Sequence, residues 1–448
     1  MFNYLKKIIP KKIRSRFTNR PILQKIVKNI GWLSFERFLE LIVALIVGIW
    51  VARYLGPSDF GLMNFAISFT ALFGPFINLG LDTILHRELV ANPKKSNIFL
   101  GTVLKLKLIS SSFFGILMIL IISWIKPNFE LLLMVSIFAF GNIINSFGIV
   151  GNYFQSKIDS GKVVKSTSIA LIISNIFKIF FIVSGFAVIW FVITSLINTT
   201  ITIVMQLYYY FKEKQSLFKW QFNKKIAKSF LSMSWPLILS SAFAFIYLSI
   251  DQVMIGLLLN EYQVGLYSVA AKISQIAYFL PGAIALSLFP ALINSKKSSL
   301  KLYFYRLQRM FDLFTWTSLG IILPIFLLSN FLIIFLYGFE YSSAGVVLSI
   351  LVWSFLAMSM RSAVGNYINS EKLYKITLYA SIMGAIVNVV LNFILINLFG
   401  INGAAIATVF SSFFVAYIAN LFFKETRFLF KMQLKSFNFL RVVREIRK

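Results

Sequence analysis

Charged side chains are scarce inside the long apolar runs of this 448-residue chain, so the few that occur there narrow the chemistry open to it. Four are basic: Arg37, Lys178, Lys272 and Arg361. Three are carboxylates: Glu36, Glu40 and Asp251. An ionised group in an apolar medium is costly unless it is paired or meets a ligand. Basic groups of this kind suit an anionic ligand, held by charge-assisted hydrogen bonds. A carboxylate in the same medium suits a proton or Na⁺. Cysteine is absent and His86 is the only histidine. That excludes a disulfide framework and a thiolate metal site, and it leaves little for acid–base catalysis. No cofactor, metal or catalytic set is expected.

Each charge also has a plain structural reading. Arg37 has Glu40 one helical turn on and can also snorkel to the surface. Lys272 and Asp251 fall at similar depth on consecutive runs, so an ion pair between them competes with a binding role. Arg361 lies about two turns from a run end. Lys178 lies about 15 residues into its run, roughly 22 Å along a helix, and has no acidic neighbour in sequence. The stretch "LDTILHREL" (81–89) gathers Asp82, His86 and Arg87 at the end of another run. Asn388 and Asn392 are four apart and so share one helix face, toward a sugar or a neighbouring helix.

The elements that must position these residues are membrane helices. Hydrophobic residues make up 58% of the chain and charged ones 13%, more apolar surface than a soluble fold of this size can hide. The pattern predicts an all-α polytopic protein with twelve spans, near 30–52, 60–81, 102–125, 131–153, 163–184, 187–210, 229–258, 264–291, 311–332, 344–369, 376–397 and 402–422. The odd-numbered breaks between spans are short, and of the 44 Lys and Arg they hold only Arg53 and Lys126. Apart from the four bases inside spans, the others gather in the even-numbered breaks and the two ends. The positive-inside rule then places both termini in the cytoplasm. It also explains the net charge of +29 as topology, which argues against nucleic-acid binding. The basic ends at 1–28 and 425–448 mix Lys and Arg with apolar residues, as interfacial helices on anionic lipid do; a solvated tail is the simpler reading.

Two strings recur. "VGNYFQS" (150–156) closes the fourth span and "VGNYINS" (364–370) the tenth; "YYFKE" (209–213) closes the sixth and "LFFKE" (421–425) the twelfth. Near the start of the second and eighth spans, Gly61 matches Gly265. One short identity is within chance, but these three, with a basic residue (Lys165 or Lys375) after each VGNY break, make four at matching rank and imply a duplication of six spans. Six is even, so the halves are parallel repeats: an N-lobe (29–211), a linker (212–228) and a C-lobe (229–424). Transporters built from such halves bind substrate near the midplane.

The segments "ARYLGPSDFGLMNFA" (52–66), "NLGLDTILHREL" (78–89), "DQVMIGLLLNEYQVGLYSVAAKIS" (251–274) and "NVVLNFILINLFGINGAAIAT" (388–408) resemble the Wzx-type polysaccharide-biosynthesis flippases. These share a superfamily with the multidrug and toxin extruders (MATE) and the lipid II flippases. The resemblance runs from about residue 25 to 425. It implies a MATE-like fold with a cationic cavity. It implies movement of an undecaprenyl-diphosphate-linked oligosaccharide to the outer leaflet by alternating access, alongside polymerase and glycosyltransferases of one pathway. Arg87 falls on an arginine that the family often shows. The lipid II flippases usually carry two further helices, for which this chain has no room.

On these grounds Lys178, Lys272, Arg361, Arg37 and Arg87 are the expected substrate contacts. Asp251, Glu36 and Glu40 are the expected coupling or structural charges, with H⁺ or Na⁺ as the ion. A cation extruder on the same fold conflicts with the four intramembrane bases. A glycan polymerase or ligase would need acid–base groups at the outer face, where the breaks offer only Asp59, Glu130, Glu261 and Glu340.

Overall fold

The computed structural model describes residues 21–446, with a few side chains in that range left out. The expected interfacial helix at the N-terminus therefore lies largely outside the described residues. The described chain is almost entirely helical. α1 (Pro21–Asn78), α2 (Leu81–Ala91), α3 (Ser96–Ile125), α4 (Phe129–Asn145), α5 (Ile149–Ser156), α6 (Ser160–Val183) and α7 (Val188–Lys212) come first. They are followed by α8 (Lys224–Leu258), α9 (Glu261–Ile276), α10 (Phe279–Ser298), α11 (Leu300–Tyr337), α12 (Ala344–Leu351) and α13 (Ser354–Glu371). α14 (Tyr374–Ala416), α15 (Arg427–Lys435) and α16 (Phe439–Ile446) end the chain.

Among the described residues, ten helical stretches are long and apolar enough to cross a membrane. Twelve spans were predicted, and the difference has a physical cause. Two of the ten, Ile42–Ala91 and Tyr374–Phe422, are 50 and 49 residues long. At 1.5 Å per residue each is more than twice the bilayer core of about 30 Å. Each contains a glycine in a left-handed conformation, Gly56 (φ 69°) followed by Pro57, and Gly400 (φ 59°). Such a glycine turns the chain without a Cβ penalty.

Other spans are broken more gently. The stretch ending in "VGNYFQS" is α4 and α5 joined by a 3₁₀ turn at Ser146–Gly148, and the one ending in "VGNYINS" is α12 and α13. α1 gives way to α2 through Leu79 (φ 52°) and Gly80 (φ 59°), so "LDTILHREL" forms a short helix of its own.

Packing divides the chain into two compact units. One comprises residues up to Gly48 and Phe76–Ile238; the other comprises Ile49–Pro75 and Leu239–Lys448. The core of the first gathers Leu81, Leu85, Leu100, Val150, Phe154 and Tyr210. The core of the second gathers Phe311, Phe314, Phe355, Met360 and Leu429.

The membership of Ile49–Pro75 in the second unit follows from glycine. A Cβ on Gly61 would lie 1.8 Å from the Glu261 carbonyl oxygen, and one on Gly265 would lie 2.0 Å from that of Pro57. The two glycines matched in sequence thus let these helices touch backbone to backbone. Arg53 adds a hydrogen bond to the Leu336 carbonyl (2.7 Å), and the Tyr341 hydroxyl donates to the Ala52 carbonyl (2.7 Å).

The C-terminal segment is not a solvated tail. Leu429, Gln433 and Ser436 are fully buried against the second unit. Polar packing, as well as apolar burial, draws these helices onto the protein.

Candidate functional site

Asp251, on α8, is buried and surrounded by donors. It accepts from the Asn392 amide (2.5 Å), the Tyr267 hydroxyl (2.9 Å) and the Thr408 hydroxyl (2.6 Å). Asn392 also donates to Asn388 (3.1 Å), which donates to Ser411 (3.2 Å). The expected pair with Lys272 is absent from these contacts. Asn392 and Thr408 lie on α14, so rotation about the helix axis, which depth alone does not give, chose the partner. The Asn388/Asn392 pair bonds to neighbouring helices.

A cavity of about 30 Å³ adjoins this cluster, lined also by Tyr247, Gln252, Ser274 and Tyr278. That is room for one water or a small ion. Its lining mixes the apolar Ala271, Leu351 and Met358 with hydroxyl, amide and carboxylate groups, whose oxygens are the donor set of a hard cation. The oxygen of the Asn392 amide is buried without a hydrogen-bond partner. The hydroxyls of Tyr247 and Ser412 bond across the cavity, and Ser68 donates to Gln252 (2.7 Å).

Arg361, on α13, stands close enough to Tyr247 to act on it electrostatically. Its guanidinium has five N–H donors, yet among the described residues its one hydrogen bond is to the neutral Ser381 hydroxyl (3.0 Å). Lys272 is exposed on α9, with its ammonium 4.3 Å from the centre of the Phe60 ring, a cation–π contact.

In the first unit the charges lie apart. Lys178 is half-buried on α6 among Ile and Phe, and makes no hydrogen bond or ion pair among the described residues. Glu36 is half-buried and accepts from the Thr167 hydroxyl. Glu40 is exposed. The side chain of Arg37 lies outside the described residues, and with it the expected contact to Glu40. Arg87 is exposed, bound to its neighbour Glu88 (3.0 Å) and to the Met233 sulfur (3.3 Å). His86 is half-buried with Nδ1 unpartnered.

Two buried charges escaped the sequence reading, Asp312 on α11 and Lys107. Lys107 on α3 is 5% exposed and pairs with Asp82 at 2.7 Å; Asn152 of the first "VGNY" string donates to the same oxygen at 2.8 Å. Lys107 had been counted with the preceding loop. The signal was present: Lys105 and Lys107 sit about 200° apart around a helix, so both cannot face water. Lys105 is the exposed one.

A family model described as "Polysaccharide biosynthesis protein" matches residues 26–296. The chain belongs to this family. It is 24% identical to the capsular polysaccharide biosynthesis protein CapF of Staphylococcus aureus over 411 residues, covering 89% of this chain and 98% of that one. It is 27% identical over 192 residues to the probable low-salt glycan biosynthesis flippase Agl15 of Haloferax volcanii, covering 42% of this chain and 40% of that one. Among solved structures, an inward-facing multidrug resistance MATE family transporter of the MOP superfamily superposes with a TM-score of 0.69. The identity is 16%, over 91% of this chain and 99% of that one. The fold of this family member is therefore MATE-like.

Proposed function

We propose that this protein is a flippase that carries undecaprenyl-diphosphate-linked oligosaccharide repeat units across the membrane by alternating access. It is not an enzyme in this reading: no covalent bond changes. The observation that carries the proposal is the state of two cations. Lys178 has no partner among the described residues and Arg361 has one neutral partner. A membrane protein holds such groups at a cost, and an arriving diphosphate repays it. Lys272, Arg37 and Arg87 are the further substrate contacts. Family membership and relatives named for capsular polysaccharide and glycan flipping support the same class of substrate.

Asp251 is the coupling carboxylate in this reading, with H⁺ or Na⁺ exchanging at the small oxygen-lined cavity beside it. Glu36 and Glu40 are structural or secondary coupling charges. Each broken stretch counts as two crossings, which gives twelve spans in two parallel six-helix lobes, 29–211 and 229–424. Both termini lie in the cytoplasm of a bacterial inner membrane, near glycosyltransferases and a polymerase of one pathway. A cation extruder would gain nothing from Lys178, an intramembrane cation with no partner among the described residues.

The test is reconstitution in liposomes with a fluorescent polyprenyl-diphosphate oligosaccharide. The intact chain should expose the lipid to an outside quencher, and the triple variant Lys178→Ala/Lys272→Ala/Arg361→Ala should not, although it inserts normally. Undiminished flipping by that variant would sink the proposal, as would efflux of a cationic dye without glycan movement.

A further inference from the structure

The two C-terminal helices, α15 and α16, frame a cleft of about 940 Å³ against the start of α11. Its polar lining is Gln308, Lys435, Asn438 and Arg441. Its apolar lining is Met432, Leu434, Phe304 and Phe428, and the two rings meet edge to face at 5.5 Å. None of these residues is used in the proposed transport path.

The polar side is a built one. Asp312, 3% exposed, accepts from Arg441 (2.5 Å) and from Gln308 (2.9 Å), and Gln308 also donates to the Met432 carbonyl (3.0 Å). Trp316 donates to the Ser436 carbonyl (3.1 Å) behind them. Asp312 balances one cation. Lys435 is exposed with no side-chain partner among the described residues, so the cleft keeps a net positive charge.

The surface around the cleft is interfacial in character. Leu434, Phe437, Phe439 and Leu440 are 41–69% exposed beside the exposed Lys431, Lys435 and Arg444. Apolar side chains among cations are found where a helix lies at the headgroup boundary of a bilayer.

We infer that this cleft binds an anionic phospholipid, its phosphate diester on Lys435 and Arg441 and an acyl chain against Phe304 and Phe428. The bound lipid ties α15 and α16 to α11. A free phosphate would satisfy the cations, but it leaves the aromatic side and most of the volume unfilled; a zwitterionic lipid leaves the excess charge unmet.

The full chain in nanodiscs tests this, by thermal melting and native mass spectrometry. Phosphatidylglycerol in a phosphatidylcholine disc should raise the melting midpoint by several degrees and remain bound to the released protein. Lys435→Glu should remove at least half of that rise and leave melting in pure phosphatidylcholine unchanged. Arg441→Lys, which keeps a charge beside Asp312, should remove a smaller part. Lys94→Gln/Lys95→Gln, remote from the cleft in sequence, should keep it all. An equal rise in every variant would overturn the inference, and so would one reproduced by inorganic phosphate in detergent.

Discussion

The Tyr153 hydroxyl lies 3.2 Å from a carboxylate oxygen of Glu213 and donates to it. Tyr153 belongs to "VGNYFQS" and Glu213 to "YYFKE", strings 60 residues apart. In the second unit the equivalent tyrosine, Tyr367, donates to the backbone carbonyl of the equivalent glutamate, Glu425, also at 3.2 Å and 58 residues apart. The same two strings meet within each unit, which supports the proposed parallel repeat. The chemistry has diverged, since only the first glutamate uses its side chain. The second unit ties its Tyr303 instead to Glu371, which pairs with Lys296 at 2.8 Å.

The Glu213 cluster should make stability fall in acid. Burial tends to raise the Glu213 carboxyl, but hydrogen bonds from Lys162 and Lys157 outweigh it and hold the group below the usual carboxylate range. A lowered pKa in the fold means stability that is present above the ordinary carboxylate value and lost as pH falls through the folded one. Glu213→Gln should therefore cost about 1 kcal/mol at pH 7. Melting curves of parent and variant should converge as pH falls below the ordinary carboxylate value; a gap that persists in strong acid would assign the effect to packing.

Most of the spans were legible because lipid admits few alternatives: an apolar run must be helical to satisfy its backbone. Partners were less legible. Depth along a helix follows from counting, but azimuth does not, and Asp251 turned to Asn392 and Thr408, 141 and 157 residues away, rather than to Lys272. The left-handed breaks at Gly56 and Gly400 show the opposite case, where local chemistry sufficed: "LGP" and "FGIN" read as turns and are turns. Lys107 was lost because charge was sorted by loop, while α3 begins at Ser96 and carries Lys107 well inside the helix.

The repeated glycines should respond differently to one methyl group. Gly61→Ala drives a Cβ into the Glu261 carbonyl and Gly265→Ala into that of Pro57, with backbone on both sides and nothing flexible to yield. Each should cost about 2 kcal/mol or more, in the range of overpacked helix contacts. Gly365, in the second "VGNY" string, has open space where a Cβ would go. Gly365→Ala should be neutral or stabilise by up to about 1 kcal/mol through helix propensity. Thermal unfolding in detergent ranks all three; equal effects would mean that the helix crossing is looser than the structure has it.

Asp251 should couple an ion without holding the fold. Asp251→Asn keeps a carbonyl for Tyr267 and Thr408, and the Asn392 amide can turn to accept from the new one, so stability should change by about 1 kcal/mol or less. Ion dependence should vanish: Na⁺ or acid should shift the parent's melting midpoint or flipping rate, and leave the variant unmoved. Asn392→Leu should instead destabilise by about 1–3 kcal/mol, because it strips a donor from a buried carboxylate. If Asp251→Asn retains full gradient-driven transport, the coupling role belongs elsewhere.

Lys178 should separate stability from transport. Its ammonium sits on a membrane helix with no hydrogen bond or ion pair among the described residues, and an unpaired charge there lowers stability. Lys178→Met removes the charge and keeps the length, so the protein should melt higher, by about 1 kcal/mol or more. Flipping of the diphosphate-linked glycan should fall at least about tenfold, the loss of one charge-assisted contact worth about 1.4 kcal/mol. Lys178→Arg should restore part of the rate, because a guanidinium can still meet a phosphate. A variant that gains stability and keeps its rate would make Lys178 a tolerated surface charge. One that loses both would give it a structural partner, and the diphosphate contact would then rest on Arg361 and Lys272.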